Sequence, residues 1–352
     1  MKNLFLKTVG IACMACAPSL PAAPMVRVMT FNASMNRDRQ GELLSNLQTV
    51  SDTHLRRVTE IIQHLDPDIL LINEFDLDPD RRCLELFQQN YLSRPQRGES
   101  AVTFPYAYAP PSNTGIHSGH DLDGNGIDNS PGDQSYGNDA FGFGEFPEKY
   151  AFAVYSKHPI DSDAARTFQK FLWQSMPGNL IPPGHYTPAA QADLRLSSKT
   201  HLDLPIDVDG HRIHILAAHP TPPTFDGSED RNGRRNHDEI RLFADYITPR
   251  QAAYLTDDAS RVGGLPSPSR FVIMGDMNAD PVDGDSRDSS ILQILENPAV
   301  NGSFIPMSPS NNADTAVFGN GLRVDYALPS SAGLHVDAGA VFWPTGNEPV
   351  AA

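Results

Sequence analysis

The chain has 352 residues, of which 39% are hydrophobic and 20% charged, and a formal net charge of −16 at neutral pH. This composition excludes a low-complexity or fibrous chain, and the charge excludes binding of polyanions by bulk attraction, so a nucleic-acid substrate would need a local basic strip or a divalent metal. At this length one large α/β domain with an extended core is the first expectation.

Residues 1–23 differ from all that follows. Lys2 and Lys7 mark a short basic start, Val9 to Ala17 is apolar and small, and Leu20-Pro21-Ala22-Ala23 offers small residues for cleavage. This pattern predicts a secretory signal peptide and an exported protein, periplasmic or secreted. No later stretch is long and apolar enough to span a bilayer, so stable membrane insertion is not expected. Cys13 and Cys16 fall in the leader and Cys83 is left alone, which rules out a disulfide within the mature chain. The mature domain, 24–352, has no linker that would divide it.

Met25 to Asn32 alternates apolar with other residues and predicts a strand ending at Asn32; Thr53 to Leu65 carries Leu55, Val58, Ile61, Ile62 and Leu65 at helical spacing, stopped by Asp66-Pro67. Asp68 to Phe75 is a short apolar strand whose tip carries Asn73 and Glu74. Residues 93–149 are polar and rich in Gly, Asn, Asp and Pro, and predict a long loop insertion. Tyr150 to Ser156 and His211 to His219 predict strands, Glu239 to Thr248 a helix, and Arg270 to Met274 a strand running into Gly275-Asp276-Met277-Asn278. Arg323 to Leu328 predicts another strand, and His335 to Phe342 one more.

A polar residue therefore recurs at strand ends: Asn32, Glu74, His219, the pair Asp276 and Asn278, and Asp325. Taken singly each has a plain account: a strand cap for Asn32, a solvated carboxylate for Glu74, a satisfied buried imidazole for His219, a turn for Asp276 and Asn278, an ion pair with Arg323 for Asp325. Taken together, carboxylates, amides and a histidine suit a hard divalent cation, Mg2+ or Mn2+, which takes oxygen ligands and keeps water. Zinc is disfavoured by the lack of His-Glu-x-x-His or paired-cysteine spacing.

Thr30-Phe31-Asn32, Asp68-Ile-Leu-Leu-Ile-Asn-Glu74, Ala218-His219-Pro220-Thr221-Pro222-Pro223, Gly275-Asp276-Met277-Asn278 and Arg323-Val324-Asp325-Tyr326 resemble, in order, the motifs of the endonuclease/exonuclease/phosphatase (DNase I-like) superfamily. The resemblance implies a four-layer α/β sandwich, two mixed β-sheets face to face with helices outside, and hydrolysis of phosphate esters. It makes Glu74 the principal metal ligand with Asn32 beside it, as ligand or behind it. Asp276 would activate the water, Asn278 donate to the phosphate, His219 assist the leaving oxygen or steady the phosphoryl oxygens, and Asp325 support a histidine or a metal-bound water. The substrate classes implied are small phosphate esters, lipid head groups and nucleic acid, and a monomer is expected.

The family pattern closes with a Ser-Asp-His segment, whereas this sequence runs Phe342-Trp343-Pro344 to Ala352 without one. The expectation is a domain lacking its last strand with impaired activity, the alternative being a truncated member that acts as a binding protein. Asp121-Leu-Asp123-Gly-Asn125-Gly-Ile-Asp128 resembles the start of a calcium loop but has Gly132 where the twelfth-position glutamate would stand, so at most weak Ca2+ binding is expected there. The charges from Asp226 to Arg235 read as a solvated face whose arginines could instead approach a phosphate.

Overall fold

The computed structural model describes residues 24–310 and 312–344; the predicted signal peptide lies outside them. In chain order the elements are β1 (Val28–Asn32), α1 (Glu42–Leu47), α2 (Thr53–Leu65), β2 (Ile69–Asn73), α3 (Arg82–Phe87), β3 (Tyr106–Tyr108), β4 (Phe152–Ser156), β5 (Arg166–Thr167), α4 (Pro188–Asp193), β6 (Leu202–Val208), β7 (His211–Ala217), α5 (Arg231–Tyr246), β8 (Phe271–Asp276), α6 (Leu292–Leu295) and β9 (Asp325–Pro329). Two mixed sheets form, a four-stranded one in the order β1-β2-β4-β3 and a five-stranded one in the order β5-β6-β7-β8-β9.

Alternation within the strands builds the layers. Ile69 and Leu71 of β2, with Phe152 and Val154 of β4, meet Leu204, Ile215, Val272 and Met274 of the other sheet in a central apolar layer. Their neighbours Leu70 and Ile72 face outward, where Leu55, Val58 and Ile62 of α2 cover them. Leu216 and Ile273 are covered in turn by Ile240 and Phe243 of α5. A strand enclosed on both faces reads as an unbroken apolar run, which is why Ile69–Asn73 is buried throughout. The result is the four-layer sandwich the sequence predicts.

Local chemistry sets the element ends. The Asp52 side chain accepts from Leu55 N (2.9 Å) to start α2, and Asp66 in a left-handed conformation ends it before Pro67. Helix α5 begins eight residues ahead of the predicted Glu239 start, so the arginines of 226–235 belong to the helix and its lead-in. Arg231 pairs with Glu229 (2.5 Å), and Arg235 donates to the carbonyls of Leu196 (2.8 Å) and Arg195 (2.9 Å). They brace the fold.

The strand predicted over 335–342 does not form a ladder. Only the bridge Met307↔Ala340 occurs there, because the segment is mostly exposed and has no sheet edge to join. Residues 93–149 are irregular, as predicted, apart from β3, which closes one edge of the first sheet, and a turn at Tyr136–Asp139. Cys83 is buried and free. Among the described residues no helix is long and apolar enough to cross a membrane.

Candidate active site

Strands β1 and β2 run parallel, as do β7 and β8. The C-terminal ends of all of these, and the start of antiparallel β9, come to one edge of the sandwich. Register aligns Asn32 with Asn73, and Asp276 with Asp325. Glu74 follows β2, and His219 and Asn278 lie just beyond β7 and β8. Every site residue predicted from the sequence is therefore at this edge.

The two sheets are joined there by one side chain. Asn32 Nδ2 donates to Glu74 Oε1 and to Asp276 Oδ2, both at 3.0 Å. Its oxygen accepts from Ser34 N at 3.2 Å. In this arrangement Asn32 presents nitrogen to both carboxylates and acts as a spacer between Glu74 and Asp276. Glu74 adopts φ 58° and Asn278 φ 49°. For asparagine this left-handed region is tolerated, but for glutamate it costs on the order of 1 kcal/mol, strain held where the side chain must leave the strand end.

Gly275 permits the approach of the third segment. A Cβ at this position would lie 1.9 Å from the Ala218 carbonyl oxygen, so only glycine lets the turn carrying His219 lie against β8. Asn278 then ties the two turns: its backbone N donates to Asp276 Oδ1 (3.0 Å) and its Nδ2 to Pro220 O (3.1 Å). The second amide hydrogen has no acceptor among the described residues and is left for a ligand.

Charge is poorly compensated at this edge. Asp276, 6% exposed, has its carboxyl raised above the usual range by burial and by Glu74, against the hydrogen bonds from Asn32 and Asn278. Asp325 is pushed well above by burial and by the Asp276 charge. Its Oδ1 is enclosed without a donor. The plain ion pair with Arg323 does not form; that guanidinium lies 4.6 Å over the Tyr326 ring.

His219 is held well below its ordinary pKa by burial and by the charge of Lys199, so its ring is neutral near pH 7. The 3.7 Å between His219 Nε2 and Asp276 Oδ2 is too long for a hydrogen bond, and with a neutral ring it is no ion pair. His219 Nδ1 is enclosed and unpartnered. It is not the satisfied core imidazole of the plain account.

Three residues that hold the site give little sign in the sequence. Glu239 accepts from Ser198 N (2.6 Å) and Thr221 N (2.7 Å), and Asn236 donates to Thr221 O (2.9 Å) and Met277 O (3.0 Å). Polar residues three apart beside Ile240 and Phe243, on the covered face of a helix, are the pattern that could have revealed them. Lys199, 8% exposed, sits in a Ser-Ser-Lys-Thr run with no periodicity at all.

A second acidic group lies in the 93–149 loops, where one oxygen from each of Asp121, Asp123 and Asp139 falls within 4.8 Å of the others. Such a spacing could accommodate a cation. The third carboxylate comes from Asp139 and not from the twelfth loop position, while Asp128 pairs with His117 at 3.2 Å.

Two mixed sheets packed face to face, with helices outside and the reactive groups gathered at one edge, define the DNase I-like class of fold. The chain belongs to the Endonuclease/Exonuclease/phosphatase family, whose model matches residues 29–348. Members of that family are generally hydrolases of phosphate esters. Among solved structures the chain is similar to an endonuclease/exonuclease/phosphatase from Beutenbergia cavernae, at 15% identity and TM-score 0.47, over 87% of this chain and 64% of that one. It is similar to sphingomyelinase C from Streptomyces griseocarneus at 14% identity and TM-score 0.47, over 88% and 85% of the two chains. A beta toxin variant from Staphylococcus aureus with bound magnesium ions matches at 13% identity and TM-score 0.43, over 87% and 84%. No curated protein matches the chain significantly.

Proposed function

We propose that the protein hydrolyses phosphate esters with a divalent cation, magnesium or manganese, held at Glu74. The observation that carries this reading is the Asn32 amide, which fixes Glu74 and Asp276 from opposite sheets at 3.0 Å from one nitrogen. The donor set fits the ion: the Glu74 charge raises the Asp276 carboxyl, the Asp276 and Glu74 charges raise that of Asp325, and Asp325 has an enclosed oxygen without a donor. Hard oxygen ligands with uncompensated negative charge suit such a cation. Bound there, it would lower the pKa of a coordinated water and draw charge from the phosphoryl oxygens.

The remaining work falls to the chain. Asp276, made more basic by burial, takes the proton of the attacking water, and a base nearer neutrality is more effective than an exposed carboxylate. Neutral His219 donates a hydrogen bond toward a phosphoryl or leaving oxygen, and the spare Asn278 hydrogen does the same. Across the β8–β9 pair the Asp276 charge raises the Asp325 carboxyl and so disfavours a second charge beside it. The net charge of −16 favours small esters or head groups over long polyanions. We read the leader-like residues 1–23 as directing this hydrolase outside the cytoplasm.

The test is turnover of bis(4-nitrophenyl) phosphate with and without magnesium, on wild type and Glu74→Gln. Metal-dependent turnover that falls about a hundredfold or more in the variant is expected. Metal-independent turnover, or equal rates, would overturn the reading in favour of a binding member of the family.

A further inference from the structure

Lys199 occupies a position that the family motifs quoted above do not include. The antiparallel register of β6 and β7, with Leu202 opposite Ala217, leads the segment before β6 back along the turn that carries His219. That segment is firmly held. Asn113 N donates to Lys199 O (2.9 Å), Glu239 anchors Ser198 N (2.6 Å), and Ser198 Oγ donates to His219 O (3.4 Å). Gly142 packs so close over Ser198 that a Cβ would lie 1.7 Å from its carbonyl oxygen. The backbone has no freedom to withdraw the side chain.

The ammonium itself makes no hydrogen bond and no ion pair among the described residues. It is nevertheless not one of the fully enclosed orphan atoms. The charges of Glu239, Glu74 and Asp276 act on it from a distance while burial works against its charged form, and its own charge reaches His219. An ammonium taken out of water without a direct partner is costly, and such a group is kept where a ligand completes it. The His219 ring that its charge reaches is likewise without a partner at Nδ1. An ammonium and an imidazole without hydrogen-bond partners, within electrostatic reach of the Glu74 and Asp276 carboxylates, form a place for an oxyanion.

We propose that Lys199 is a substrate-binding residue whose ammonium holds a nonbridging phosphoryl oxygen and brings a full positive charge to that group. The assignment rests on the phosphate-ester reading given above. A lysine supplies it as a compact charge with freely rotating donors, which tolerates different esters on the same phosphoryl group.

The experiment is calorimetric titration of inorganic phosphate into the full chain with magnesium present, for wild type, Lys199→Gln, Lys199→Met and Lys199→Arg, with melting temperature and ester turnover measured on each. Wild type binds phosphate; the neutral variants, folded with unchanged melting temperature, bind it about tenfold or more weakly, and Lys199→Arg regains part of the loss. A wild type that does not bind phosphate overturns the proposal, as does a folded Lys199→Gln that binds it as wild type does. If neither neutral variant folds, the position is structural and the proposal also falls. Turnover that depends on Glu74 but not on Lys199, with phosphate binding unchanged, removes Lys199 and leaves the hydrolase reading intact. Phosphate binding that depends on Lys199 without any turnover does the reverse.

Discussion

Two acidic clusters sit in this molecule and they are opposites. In the loop, Asp121 accepts from the backbone of Gly124 (2.8 Å), Asn125 (3.2 Å) and Gly126 (2.7 Å). Asp139 accepts from Leu122 N (2.8 Å), Asn129 N (2.9 Å) and Asn129 Nδ2 (2.6 Å). At the strand ends, by contrast, Asp325 Oδ1 and His219 Nδ1 have no partner and the carboxylates repel. A cluster whose hydrogen bonds are closed within the chain shapes a fold. One whose bonds are left open is arranged for something the chain lacks.

The difference can be broken most sharply at Asp276. Asp276→Asn keeps the shape, removes a buried charge, and should lower turnover about a thousandfold while leaving the melting temperature equal or higher; a variant that loses stability along with activity would make this cluster structural like the other. At the loop the outcome should be reversed. Asp139→Ala strands three buried donors and should cost about 4 kcal/mol in chemical denaturation, with turnover per folded molecule unchanged.

A third, smaller effect tests whether a satisfied group behaves as such under titration. His201 is buried with Nδ1 at 2.7 Å from Ser197 Oγ and Nε2 at 2.8 Å from Glu239 O, and burial holds it down at about 4 against an ordinary 6.5. The folded state keeps the ring neutral, so the unfolded chain takes the proton first and stability falls as pH drops from about 6.5 to about 4. The loss from this residue is roughly 3 kcal/mol. His201→Gln should flatten the stability profile in that window, as followed by urea unfolding at a series of pH values.

The legible parts of the sequence were those in which one strand does one thing. Asn32, Glu74 and Asp276 stand out because an apolar run stops at a polar residue, and β2, β8 and α2 follow the predicted bounds closely. β6 was missed because Pro205 interrupts Leu202–Val208. The fold tolerates the proline where the two-residue β5 covers only Arg166 and Thr167 opposite Asp203 and Leu202. The first turns of α5 were missed because polar residues such as Asn236 look solvent-facing until the segments they grip are in place. Lys199 was missed for the same reason: its surroundings come from β2, β7, β8 and α5, none of them near it in sequence.

That a single amide spans the gap between the sheets has a further consequence. The separation of Glu74 from Asp276 is set by how thick the apolar filling between the two sheets is, since Asn32 reaches from one to the other with no slack. Outer loops can lengthen, shorten or change sequence without altering that gauge. The interior side chains of Ile69, Leu71, Ile215 and Met274 cannot, and they act as the shim that keeps the reacting groups in reach of one another.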